Sequence, residues 1–287
     1  MKICIVGSGG YLGSALMQTA KDQQHQLQLV SSRTNGIDPK TGLLPQNFEI
    51  EAGVDVVYYL AQSPHYRQVP EYAAHLLSVN CVAAVQVASA AVRSGVKRFI
   101  YASTGNVYAP SFKPMAETDP VQRHGWYPLS KLMAEEALAL FAGKMDVTVL
   151  RIFGIYGPGQ TDKLIPTLIE NVRQGRQIFV DGRADDSLDS GGLLFSPIYI
   201  GDAVNALLKI GASFTAPMLN LAGDRALSVA EIATTIATQL GTRAHIKSSG
   251  RNRSSDLVAD IGLLKRLVGP VYTPFETGLG NALERVV

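Results

Sequence analysis

Tyr127 and Lys131 stand four residues apart in WYPLSK, and Thr104 closes the run FIYAST twenty-three residues before the tyrosine. On a helix, positions i and i+4 share one face, so this spacing brings a lysine ammonium beside a phenol. A nearby cation favours phenolate and lowers a tyrosine pKa from about 10 towards the working range of a general acid or base. Tyr127, Lys131 and Thr104 thus read as a catalytic triad. The same tyrosine–lysine spacing also occurs on ordinary amphipathic helices, so the chemistry needs a second feature in support.

That feature opens the chain. MKICIVGSGGYLGSAL runs from an apolar strand, Ile3 to Val6, into Gly7, Gly10 and Gly13 and then into helix-forming residues. Glycines let the backbone turn tightly and approach a pyrophosphate, and the N–H groups at the start of the following helix attract its charge. The spacing is G-x-x-G-x-x-G with an extra Gly9, a departure from the G-x-G-x-x-G fingerprint. Short β-branched runs then alternate with helical stretches, which argues βαβ units and a parallel sheet. Strands are expected at Lys2–Val6, Gln26–Ser31, Val54–Leu60, Arg98–Ala102 and Asp146–Arg151, with helices near 11–22, 70–94 and 128–142. Residues 34 to 51, with Asn35-Gly36, Pro39 and Pro45, show no clear strand. Beyond Arg151 helices are expected near 161–175, 200–211 and 228–240, with 181–192 as a solvated loop.

With both features in place the chain resembles the extended short-chain dehydrogenase/reductase superfamily, NAD(P)-dependent epimerases, dehydratases and reductases of sugar nucleotides. Four further stretches carry the resemblance: DVVYYLAQS (55–63), SVNCVAAVQVASAA (78–91), RFIYASTGNVYAP (98–110) and VTVLRIFGIYGPG (147–159). It implies an α/β fold, a Rossmann-type doubly wound parallel sheet with a smaller C-terminal substrate lobe. Residues 1–150 would form the NAD(P)-binding domain and 151–287 mainly the substrate lobe, interleaved with the end of the sheet. It also implies that Thr104, with Ser103 as the near alternative, polarises the reacting oxygen while Tyr127 moves the proton. Lys131 would lower the tyrosine pKa and hold the nicotinamide ribose. Cofactor contacts are expected from Gly7, Gly10, Tyr11, Leu12, Gly13, Ser32, Arg33, Ala61, Gln62, Asn80 and Ser103, besides Tyr127 and Lys131. Helices 70–94 and 128–142 would pair two copies into a homodimer.

Dinucleotide sites for NAD usually end the second strand in Asp or Glu, which accepts from the ribose hydroxyl. LVSSRTN offers Ser31, Ser32 and Arg33 instead, which favours NADP, with NAD as the alternative. Gly105-Asn106 stands where related dehydratases carry Asp-Glu, which argues against dehydration and leaves epimerase or reductase. Gly154 and Phe195 replace an asparagine and an arginine that relatives use near substrate phosphates. Arg253 resembles an arginine that meets phosphate, so a nucleotide-linked sugar and a phosphate-free carbonyl or hydroxysteroid-type substrate both stay open. A non-catalytic NADP-binding sensor or scaffold is the third reading.

Composition narrows the partners. The 287 residues carry a formal charge of +2, with no block of like charges to suit nucleic acid or an anionic membrane. Two cysteines, Cys4 and Cys81, read as small packing residues in a reducing cytoplasm rather than a disulfide. Nothing shows metal-ligand spacing, so no metal is expected. No signal peptide precedes the first strand, and the apolar stretches carry Asn80, Gln86 and serines, which argues against a membrane span.

Overall fold

Along each strand of the N-terminal half, successive side chains enter opposite cores, which is how a parallel sheet buried on both faces is built. In the computed structural model, which describes residues 1–33, 36–186, 189, 191–213 and 216–284, Ile3 and Ile5 point into one core and Cys4 and Val6 into the other. Val56 and Tyr58 alternate in the same way with Val57 and Tyr59. Asn35 of the expected turn lies outside the described residues, as do 187, 188 and 190 of the Gly/Asp-rich stretch and the last three residues.

The chain order is β1 (Lys2–Val6), α1 (Tyr11–Asp22), β2 (Gln26–Val30), β3 (Val56–Tyr59), α2 (Ala73–Leu77), a π-helical turn at Ser78–Val82, α3 (Ala83–Arg93), β4 (Arg98–Thr104), α4 (Trp126–Ala139) and β5 (Asp146–Ile152). There follow β6 (Ile155–Tyr156), α5 (Leu164–Arg173), β7 (Gln177–Arg183), β8 (Leu194–Phe195), β9 (Ile198–Tyr199), α6 (Ile200–Ala212), β10 (Met218–Leu221), β11 (Leu227–Ser228), α7 (Val229–Gln239), β12 (His245–Arg253), α8 (Gly262–Leu267) and α9 (Phe275–Glu284).

Six strands make the main sheet, all parallel, in the order β10-β5-β4-β3-β1-β2. Strand order reverses at β1, so the crevice above its carboxyl end is the topological switch point where such sheets bind ligands. Helices α1 and α6 cover one face, and α3 and α4 the other. The sixth strand, β10, comes from the C-terminal half and was not expected; MLNL is only four residues long and holds no β-branched residue. A third apolar cluster, from α5, α7, α9 and β7, forms a smaller lobe.

Two expectations change on detail. The helix expected over 70–94 starts at Ala73 and is interrupted by the π-helical turn around Asn80. By length and mean hydropathy (1.6), Ala73–Arg93 is the one described helix able to cross a membrane, yet it packs on the sheet with Ala83, Ala84, Val87 and Ala91 buried. The loop expected over 181–192 instead begins inside β7, which pairs with β12. Its acids meet arginines: Asp181 with Arg251, Asp185 with Arg183 and Asp189 with Arg253.

Candidate active site

The glycine turn between β1 and α1 is forced by space. Gly7 has φ +93°, and a Cβ there would lie 2.6 Å from the Ala61 nitrogen, the next crossing chain. A Cβ on Gly13 would lie 2.1 Å from the Gly7 carbonyl oxygen, so only glycine lets α1 approach the loop this closely. Gly9 differs, since a Cβ there would meet nothing closer than 3.8 Å. Helix α1 starts at Tyr11 with no side-chain cap and no acid in its first turn. Its free N–H groups and positive end therefore face the crevice, an arrangement that suits a pyrophosphate.

From this turn a cavity of about 1030 Å³ runs across the carboxyl edge of the sheet. Gly7, Gly10, Tyr11 and Leu12 line one end beside Ser32 and Arg33; Ala61 and Gln62 line the middle; Ser103, Thr104, Tyr127 and Lys131 follow, then Phe153, Gly154 and Phe195. Such a volume has room for a dinucleotide and a second ligand. The cradle of glycines and the uncapped helix fit a nicotinamide dinucleotide, with the expected triad at the far end from the glycine turn.

Thr104 ends β4, where its hydroxyl accepts the Asn106 N–H at 3.2 Å. Tyr127 is the second residue of α4, one turn before Lys131. Its phenol donates to Gln62 Oε1 at 3.1 Å. Burial pushes that phenol up to about 12, partly offset by a hydrogen bond with Thr104. Lys131 is 2% exposed; its ammonium donates to the Ala102 carbonyl at 2.8 Å and sits 4.9 Å from the Tyr101 ring centre. Burial pushes it down to about 7, and the charge of Glu135 offsets only part of this. The expectation that Lys131 depresses the Tyr127 pKa is therefore corrected. Both groups are driven towards their neutral forms, because each is desolvated and the ammonium is turned to a carbonyl and a ring.

Ser103 lies on the cavity wall, but its hydroxyl donates to the Glu135 carboxylate, so of the two hydroxyls Thr104 is the one beside the phenol. Asn80 is fully buried and lies behind the cavity rather than on its wall. It accepts the Ser63 N–H at 3.3 Å and donates to Ser130 Oγ at 2.9 Å, bracing the exit of β3 against α4. A π-turn is a common device for aiming such a residue. Gly13 is buried against the glycine turn and acts through packing. Arg253 also lies off the cavity: its guanidinium meets Asp256 at 2.7 Å, Asp189, and the Asp181 carbonyl at 3.2 Å. The phosphate contact expected of Arg253 is corrected accordingly, since two carboxylates already hold its charge. Gly154 and Phe195 prove to be coupled. Gly154 has φ +155°, and a Cβ there would touch the Phe195 ring at 3.4 Å.

Sequence reasoning missed the wall residues that loops deliver. Asp38 and Pro39 reach the cavity end beside Arg33, and Tyr66, Arg67, Gln160 and Lys163 reach the end beside Tyr127. His75 ties two of these loops together, that of Pro39 and the one leading from Ser63 to Tyr66. Its Nε2 donates to the Pro39 carbonyl at 3.1 Å, so its Nδ1 accepts from the Ser63 hydroxyl at 2.9 Å. The one available signal was position, since loops leaving the carboxyl ends of strands carry the ligand contacts in open α/β sheets.

Comparison with known proteins agrees with this geometry. Residues 3–221 match the sequence model of the NAD dependent epimerase/dehydratase family. An uncharacterized UDP-glucose epimerase of Bacillus subtilis (strain 168) is 24% identical over 99% of this chain and 97% of its own. UDP-glucuronic acid decarboxylase 1 of Xenopus tropicalis is 26% identical over 98% of this chain and 71% of its own. Among solved structures, MoeE5 in complex with UDP-glucuronic acid and NAD superimposes with a TM-score of 0.78 at 26% identity, covering 99% of this chain and 98% of that one.

Proposed function

The chain belongs to the NAD-dependent epimerase/dehydratase family, and from that premise we propose that it is an epimerase or reductase of a nucleotide-linked sugar. One observation carries the reading: a single cavity joins the glycine turn to Thr104, Tyr127 and Lys131. Bound at that turn, the dinucleotide would supply a hydride acceptor or donor at the sugar carbon. Tyr127 would exchange its Gln62 partner for the substrate oxygen and, with its own proton released to solvent in the loaded enzyme, take the proton of the sugar hydroxyl as a phenolate. Thr104 would hold that oxygen as charge develops on it. Lys131 would meet the nicotinamide ribose.

A Tyr127→Phe variant tests this. Turnover of UDP-sugars should fall by about 10²–10⁴-fold with dinucleotide binding retained. Unchanged turnover would leave a binding scaffold as the better reading.

For the cofactor, our reading favours NADP within a NAD-dependent family. Ser32 and Arg33 stand on the cavity wall where a 2′-phosphate would lie, and Arg33 makes no ion pair among the described residues. Asp38, nearby, opposes that preference in charge, although one of its oxygens is held by the Lys40 and Thr41 N–H groups. Arg33→Ala should weaken NADPH about tenfold and NADH little; equal weakening would refute the preference.

A phosphate-free carbonyl substrate is the second reading, favoured by the apolar wall of Phe153, Phe195 and Leu257. We also propose a cytoplasmic homodimer paired through α4 and the helical run from the π-turn into α3, where Met133 of α4 and Val82 of the π-turn are 42% and 45% exposed. Light scattering that gives the mass of one chain would refute the dimer.

A further inference from the structure

The cavity end beside Tyr127 has two unlike walls. One is apolar, with Phe153, Leu193, Phe195 and Leu257, and Gly154 and Phe195 leave no polar group where relatives are expected to carry them. The opposite wall carries two cations. Arg67 follows β3 and Lys163 caps the start of α5, and Tyr66 lies between them: the Lys163 ammonium donates to the Tyr66 hydroxyl at 2.8 Å. Lys163 and Arg67 also sit 4.6 Å and 5.2 Å from the Tyr66 ring centre. The Tyr66 ring in turn packs on the Tyr127 ring at 5.5 Å between centres.

Neither cation is balanced. Among the described residues Arg67 and Lys163 make no ion pair, and Arg67 donates only to the Asp162 carbonyl at 3.3 Å. Among the described residues the single carboxylate lining the cavity is Asp38, at the Arg33 end. Both cations are exposed to solvent where they line the cavity, and two neighbouring cations there repel each other and favour an anion. The glycine turn at the other end would hold the dinucleotide's pyrophosphate, which leaves this charge to a second ligand.

We propose that Arg67, Lys163 and the Tyr66 hydroxyl form the substrate's oxyanion handle, in place of the polar groups absent at Gly154 and Phe195. The inference rests on the reading of this cavity as a hydride-transfer site and names what its substrate carries: a negatively charged group close to the reacting carbon. That group is a diphosphate or a sugar carboxylate. Because Tyr66 touches Tyr127, seating the anion also sets the substrate's reach to the phenol.

The test is calorimetric titration of protein saturated with dinucleotide, using UDP, dTDP, GDP, UDP-glucose and UDP-glucuronic acid. It is run on the natural protein, on Arg67→Gln/Lys163→Gln, and on Lys163→Arg. The double variant should lose about tenfold or more in affinity, with Lys163→Arg near the natural value and dinucleotide binding unchanged. A loss shared by UDP, UDP-glucose and UDP-glucuronic acid identifies a diphosphate. A loss confined to UDP-glucuronic acid identifies a carboxylate. Equal affinity in the natural protein and the double variant overturns the proposal, as does a natural protein that holds dinucleotide and binds none of the five. Failure of the hydride-transfer reading is separate: it shows as Tyr127→Phe turnover unchanged, whatever the titrations give.

Discussion

Helix α4 buries two ionisable side chains one turn apart, Lys131 and Glu135, and their surroundings treat them in opposite ways. Glu135 is 4% exposed and fully answered: the Arg151 guanidinium meets it at 2.7 Å and the Ser103 hydroxyl donates to it. Arg151 is held further by the Glu117 carbonyl at 3.4 Å and lies over the Tyr108 ring. Burial works against its charge, and Glu135 more than offsets that, so its pKa is raised. Among the described residues Lys131 has no carboxylate in contact, only a carbonyl and a ring, and its pKa falls to about 7. The first cluster pins α4 to β4 and β5. The second leaves an amine without a counter-charge at the cavity wall, where a bound ligand's oxygens would meet it. A burial cost retained at one residue and offset at its neighbour marks where the fold serves chemistry.

The sharpest way to break this contrast is to remove one partner of the satisfied pair. Glu135→Ala strands Arg151 in the core and should cost about 3–5 kcal/mol in denaturant unfolding; a loss near zero would mean the pair is not structural. Lys131→Met should move stability the other way, by on the order of 2–4 kcal/mol, while turnover is lost. The sign follows from linkage. The folded pKa of about 7 lies below the ordinary 10.5, so the unfolded chain binds the extra proton between those values. The cost of the buried ammonium is thus complete below pH about 7 and fades towards 10.5. Melting temperatures of the variant and the natural protein should therefore differ most at pH 7 and below, and converge as the pH approaches 10.5. A variant less stable at every pH would contradict it. Asn80→Ala should have the smallest effect, about 1–2 kcal/mol from the unpaired Ser63 N–H and the lost donor to Ser130 Oγ. It should lower kcat with little change in dinucleotide affinity, and a lost dinucleotide site would make Asn80 a direct ligand instead.

The two halves of the chain differed in how much their sequence disclosed. β1, β3, β4 and β5 were legible because strands buried on both faces read as continuous β-branched and aromatic runs, and Gly7 and Gly13 because nothing larger fits at either position. Tyr127 and Lys131 were visible through helical spacing alone. β12 was not, since HIKSSGRNR is polar on both faces and pairs only with β7 at the edge of the smaller lobe. Arg253 was legible as a cation but not as a partner of Asp189 and Asp256, a relation the fold creates between separate segments. Lys163 and Tyr66 lie ninety-seven residues apart and meet only because the loops that follow β3 and β6 converge in space. The depressed pKa of Lys131 was equally hidden, because four-residue spacing fixes a shared face and says nothing about desolvation.

The most direct test follows the near-ultraviolet absorbance of reduced nicotinamide after protein loaded with oxidised dinucleotide is mixed with UDP-glucose or UDP-glucuronic acid, with NMR of the recovered sugar. The account predicts a rise in reduced nicotinamide, transient if the sugar is epimerised, that disappears in Tyr127→Phe. Firm dinucleotide binding with no reduction by either sugar, and no difference between the two proteins, would contradict it.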